Sequence, residues 1–166
     1  MSEITFGSAN AGDVKPQAEL PGPLYVEIIN IRTVQPVGSF INDNVIELNE
    51  DFDVIMQVLF RDVLSQLQVK FVANINVLNL QTGNKALPYS IKIAGNLPGG
   101  GVSSMTLRHT FKATETGVFL LSGSIGFPTS KLVDFSLGNI AGSEPPLPVG
   151  PRLRIANFFV YDPTNP

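Results

Sequence analysis

Apolar and polar residues alternate with a period of two along most of this chain. The longest run, 66–77, puts Leu67, Val69, Phe71, Ala73, Ile75 and Val77 on one parity and Gln66, Gln68, Lys70, Asn74 and Asn76 on the other, with only Val72 out of step. Successive side chains leave a pleated strand on opposite sides, so the run predicts a strand with one dry and one wet face. The pattern recurs. Residues 104–112 set Met105, Leu107, His109 and Phe111 against Thr106, Arg108, Thr110 and Lys112, and residues 118–127 set Phe119, Leu121, Gly123, Ile125 and Phe127 inward. In 52–60, Phe52, Val54, Met56, Val58 and Phe60 share the core parity, but the opposite parity carries Ile55 and Leu59. Those two are expected to make a contact beyond the domain core.

Four further segments complete the strands. Residues 24–34 are rich in β-branched side chains and bounded by Pro23 and Pro36. Their parity changes at Ile28-Ile29, which predicts a bulge or a strand that switches sheets. Residues 45–48 form a short strand, and 89–94 set Tyr89, Ile91 and Ile93 inward. The parity of the long run is expected to flip at Leu78-Asn79-Leu80, before a turn through Gly83, where glycine supplies positive φ. The last strand, 152–161, ends in Phe158, Phe159, Val160 and Tyr161, apolar on both parities, as in a strand covered on both sides or lying at an interface.

Seven main strands plus a short one, spaced about a dozen residues apart, predict an all-β, antiparallel β-sandwich of seven to eight strands with immunoglobulin-like architecture; a jelly roll is the alternative. The cysteine pair and strand tryptophan of antibody domains are missing, since the chain has no Cys and no Trp. Residues 1–23, with Pro16, Pro21, Pro23 and several glycines, read as a flexible arm whose Ile4-Thr5-Phe6 could add a short strand to a sheet edge. Residues 24–162 are the single domain and 163–166 a tail. A long connection, 128–151, holds Pro145, Pro146 and Pro148 beside Leu132, Val133, Phe135, Leu137 and Ile140. Connections of that length tend to be functional.

Composition changes this picture in one respect. Charged residues make up 15% of the chain, against about 25% in an ordinary soluble domain. Charge depletion with aromatic retention marks the centre of protein interfaces. The chain therefore reads as a non-enzymatic protein-interaction or assembly module that self-associates through a charge-poor surface. The expected contact residues are Ile55, Leu59, Leu132, Val133, Phe135, Leu137, Ile140, Phe158 and Val160. A net charge of −3 with scattered cations gives nucleic acid no clustered basic face. No apolar run reaches the length of a membrane span, and no secretory leader pattern opens the sequence, so cytoplasmic residence is the default, with an extracellular one equally compatible with a disulfide-free sandwich.

Candidate chemistry is sparse. His109 is the only histidine and sits on the dry parity, where a neutral, hydrogen-bonded structural role is expected. No nucleophile elbow, cofactor motif or thiolate site accompanies it, so no cofactor is expected. Asp43, Glu50, Asp51 and Asp53 gather near the third and fourth strands and are the weak calcium candidates, although they lack the spacing of a calcium-binding loop. Gly99-Gly100-Gly101 lacks the Lys-Ser/Thr of a phosphate loop and reads as a hairpin loop. The alternative function is a ligand-binding sandwich that grips a carbohydrate or calcium with its end loops, 42–51 and 96–101. For sugars, three Tyr and no Trp are a poor stacking endowment.

Overall fold

A computed structural model describes residues 2–7, 24–66, 68–127 and 152–164. Nine strands run in chain order: β1 Ser2–Gly7, β2 Leu24–Val34, β3 Val45–Glu47, β4 Asp51–Asp62, β5 Lys70–Asn79, β6 Ile91–Asn96, β7 Ser104–Lys112, β8 Gly117–Gly126 and β9 Arg152–Tyr161. They form a four-stranded sheet, β1-β7-β4-β2, and a five-stranded sheet, β3-β9-β8-β5-β6. The inward parities of the two meet in one hydrophobic cluster, which is the architecture that the alternation predicts.

Phe52, Val54, Met56, Val58 and Phe60 face this core and are fully buried. Opposite them lie Phe119, Leu121, Ile125 and Phe127, also buried. Gly123 takes the remaining inward place on β8 because the sheets touch there: a Cβ would stand 2.6 Å from Met56 Sδ and 2.8 Å from Ile31 Cδ1. At one end of the core Tyr89 stands among Phe52, Phe111, Phe119 and Phe158, with ring centroids 5.0 to 6.3 Å away. Its hydroxyl donates to Glu115 O at 2.7 Å and accepts the N–H groups of Thr114 and Glu115 at 3.0 and 2.8 Å. Burial pushes this phenol's pKa up.

The expected bulge is present as a register shift between Ile28 and Asn30 in the β2–β4 pairing. Four expectations need correction. Strands number nine among the described residues, one more than expected, because Ser2–Gly7 pairs antiparallel with β7 along the sheet edge, the place that Ile4-Thr5-Phe6 could take. The sandwich is not wholly antiparallel, because β3 runs parallel to β9. The start of the 66–77 run is also different: Val63–Gln66 is a single helical turn, and the strand begins at Lys70.

The fourth correction matters most for the surface. Parity does not flip after Val77. Asn79 keeps the inward position and is buried, while Leu78 and Leu80 stay outward and exposed. The buried amide is satisfied locally: Asn79 Oδ1 accepts the N–H groups of Gln81 and Thr82 at 2.9 and 3.2 Å, and Nδ2 donates to Glu115 Oε1 at 3.1 Å. A short polar side chain that hydrogen-bonds its own following backbone starts a turn without leaving the strand register. The 128–151 connection, with Leu132, Val133, Phe135, Leu137 and Ile140, lies outside the described residues.

Candidate functional site

At one end of its outer face, the four-stranded sheet is covered by its own chain. Residues 35–41 fold over it, and the buried carboxylate of Asp53 is the anchor: Gly38 N–H and Thr110 Oγ1 donate to it at 2.9 and 2.6 Å, and Arg108 Nη1 pairs with it. Arg108 also donates through Nη2 to Ser39 O at 2.8 Å and lies 4.9 Å from the ring of Phe40. Burial alone would raise the Asp53 pKa, but the hydrogen bonds from Thr110, Gly38 and Arg108 and the guanidinium charge outweigh it and hold the carboxyl below its ordinary value. Ile55 and Leu59 share this outer parity outside the inter-sheet cluster, yet both are almost fully buried within the single chain.

The outer face of the five-stranded sheet is different. Register aligns Val45, Phe159 and Val118 across β3, β9 and β8, and Leu78 with Leu120 across β5 and β8. Leu80 continues the first row through its N–H bond to Val118 O at 2.8 Å. Val45 is 51% exposed, Leu80 49% and Phe159 40%. Phe159 and Tyr161, two apart on β9, hold their rings nearly parallel, 7° apart in plane and 6.3 Å between centroids. Beyond this apolar end the face becomes amide- and hydroxyl-lined, with Asn76 opposite Ser122 and Asn74 opposite Ser124. The charges on this face among the described side chains are Glu47 on β3, Lys70 at the far end of β5, Lys92 on β6, and Lys85 in the bridge beside Leu78.

Phe158 and Val160, the expected contact residues on β9, are the inward pair of that strand and are buried in the core. Their neighbours Phe159 and Tyr161 are the exposed pair. Sequence reasoning found the doubly apolar strand end but had no register to say which parity faced out. Leu80 and Val45 were missed because the supposed flip at Asn79 and the brevity of β3 hid their orientation.

The acidic candidates separate. Asp43, Glu50 and Asp51, together with Glu47, line a shallow cavity of about 620 Å³ at one end of the sandwich, whereas Asp53 is committed to Arg108 and Thr110. Among the described residues no group of three or more His, Asp or Glu side chains is close enough to hold a metal ion. His109 sits at the edge of the core against Phe111, ring centroids 4.5 Å apart, with Nδ1 in a hydrogen bond to the Ser2 hydroxyl. Burial pushes its pKa down. Gly99, Gly100 and Gly101 all take positive φ in the loop that joins β6 to β7.

A second concavity, of about 440 Å³, opens at the side of the sandwich. There the segment 42–44 ties β2 of one sheet to β9 of the other: Asp43 N–H donates to Thr33 O at 3.1 Å and Phe159 N–H to Asn44 O at 2.8 Å. Arg32, Asn42, Asn44 and Asn157 line it.

Fold and surface together define an immunoglobulin-like β-sandwich module with one outer face open. The chain is similar to the C-terminal domain of wzt, with a TM-score of 0.54 and 16% identity, over 82% of this chain and 73% of that one. A more distant likeness, TM-score 0.47 and 9% identity, is to the CARDB domain of a Pyrococcus furiosus protein solved in complex with di-metal ions, over 82% of this chain and 93% of that one. No protein-family model and no curated protein matches the chain. Among the described residues no helix is long and apolar enough to cross a membrane.

Proposed function

We propose that this sandwich is a non-enzymatic assembly module that packs the outer face of its five-stranded sheet against the same face of a second copy. The observation that carries this reading is the exposed row Val45, Phe159 and Leu80, together with Tyr161, at an apolar end of the face flanked by Glu47 on one edge and Lys85 on the other. Burying such a face desolvates apolar area without stripping water from ions, and each Å² removed contributes about 25 cal/mol before the cost of association. The edge charges favour a like partner. A two-fold axis in the plane of the face and parallel to its strands exchanges the two edges, which sets the Glu47 edge of one copy against the Lys85 and Lys92 edge of the other.

Light scattering coupled to size exclusion, run as a concentration series, tests the proposal. The wild-type chain is expected to pass from monomer to dimer with rising concentration, and Phe159→Asp, which places a carboxylate within the apolar row, is expected to stay monomeric while keeping the wild-type circular dichroism. A wild-type chain that remains monomeric throughout, or a Phe159→Asp chain that dimerises as well as wild type, refutes it.

A further inference from the structure

We propose that the free edge of β1 is a second assembly joint, which pairs antiparallel with β1 of another copy and joins two four-stranded sheets into one. Every second residue of an edge strand turns its N–H and C=O away from its one neighbour, so an edge is a template for a further strand unless something blocks it. Among the described residues the two sheets have four edges, and three are blocked. β2 carries the bulge between Ile28 and Asn30, β3 is only three residues long, and β6 points Lys92 into water. Bulges, short strands and lysines are the devices that keep edges from pairing. β1 has none of them. Its six residues run in unbroken register with β7 and include no Lys, Arg or Pro, and Ser2, Glu3 and Thr5 are exposed.

The strand's own sequence selects a second copy as the partner. A two-fold axis perpendicular to the sheet keeps the core faces of both copies on the same side, so residues of like parity stand opposite each other. With Thr5 opposite Thr5, Ile4 meets Phe6 on the core side, where both already pack against the hydrophobic cluster, and Glu3 meets Gly7 on the other side. The two Glu3 carboxylates, the only charged side chains on the strand, then lie four residues apart along the ladder. That is about 13 Å, beyond a Debye length of roughly 8 Å. A register centred on Ile4 sets Phe6 against Ser2 and brings the carboxylates within diagonal reach. A six-residue ladder is a weak joint. It links copies at high concentration and leaves Phe159→Asp monomeric where light scattering reads the open face. Because β1 and Phe159 belong to different sheets, the two interfaces stand or fall separately, and together they extend a dimer into larger assemblies.

Single-cysteine chains test the joint, since the native sequence has no Cys. Thr5→Cys and Glu3→Cys are each made in the Phe159→Asp chain, so that the open face does not contribute, and are oxidised at high concentration. Both positions are exposed and share one parity, so random collision treats them alike. A disulfide needs Cα atoms within about 7 Å, which only the pair at the two-fold axis meets. Thr5→Cys is therefore expected to form disulfide dimers about tenfold faster than Glu3→Cys. In urea that unfolds the chain the two rates are expected to converge. Equal rates in the folded chains, no dimer from either, or a difference that persists in urea overturns the proposal.

Discussion

The two outer faces of this sandwich solve the same problem in opposite ways. On the four-stranded sheet, a loop, a buried ion pair and a ring contact cover the Asp53 end of the side chains that point away from the core. On the five-stranded sheet the outward row of Val45, Phe159 and Leu80 is left in water. Apolar side chains on an outer parity therefore say only that something should cover them. Whether that something is the chain itself or a partner depends on where a loop such as 35–41 lands, and this is a property of the fold rather than of the strand.

The covered face breaks most readily at Asp53. Its carboxylate is fully buried and holds Arg108, Thr110 and the Gly38 N–H at once. Asp53→Ala leaves the Arg108 guanidinium, whose side chain is 13% exposed, without its counter-ion. Breaking a buried pair from one side costs about 3–5 kcal/mol, so urea unfolding should show the midpoint of this variant far below that of wild type. A loss under about 1 kcal/mol would mean that the covering loop contributes little to holding the face closed.

Acid should weaken the same face by a smaller amount. The folded-state pKa of Asp53 lies below its ordinary value, so the unfolded chain binds the proton first as pH falls. The stabilisation is thus complete above about pH 4 and is lost as pH drops through the folded value. Urea midpoints taken from about pH 5 down to about pH 2.5 should fall more steeply in wild type than in Asp53→Ala, which has already lost this contribution. Parallel slopes would show that other carboxylates set the acid limit.

Much of the fold was legible in the sequence, because a period of two reports directly on which side chains face the core. The five inward residues of β4, the three inward apolar residues of β8 with Phe127 just past it, and the bulge in β2 all stand where alternation put them. Asn79 defeated the same reasoning: an amide at an inward position looks like a change of parity unless its turn partners, Gln81 and Thr82, are seen. The candidate surfaces were less legible still. Charge depletion announced a bare surface without naming its side, and the pairing of Val45 with Phe159 depends on a parallel β3–β9 contact between segments more than a hundred residues apart.

The sharpest discrimination between the faces comes from the smallest effect. Leu80→Ser, paired with Val45→Thr, removes apolar area that the single chain already exposes by about half. An exposed substitution of this kind usually shifts stability by no more than about 0.5 kcal/mol. At concentrations where the protein is monomeric the double variant should therefore unfold at the wild-type urea midpoint. At higher concentration the two should part, because only the wild-type chain gains stability by associating. Equal midpoints at every concentration would leave the face open but idle, and a lower midpoint in the dilute variant would mean that the chain covers this face too, erasing the contrast between the two sheets.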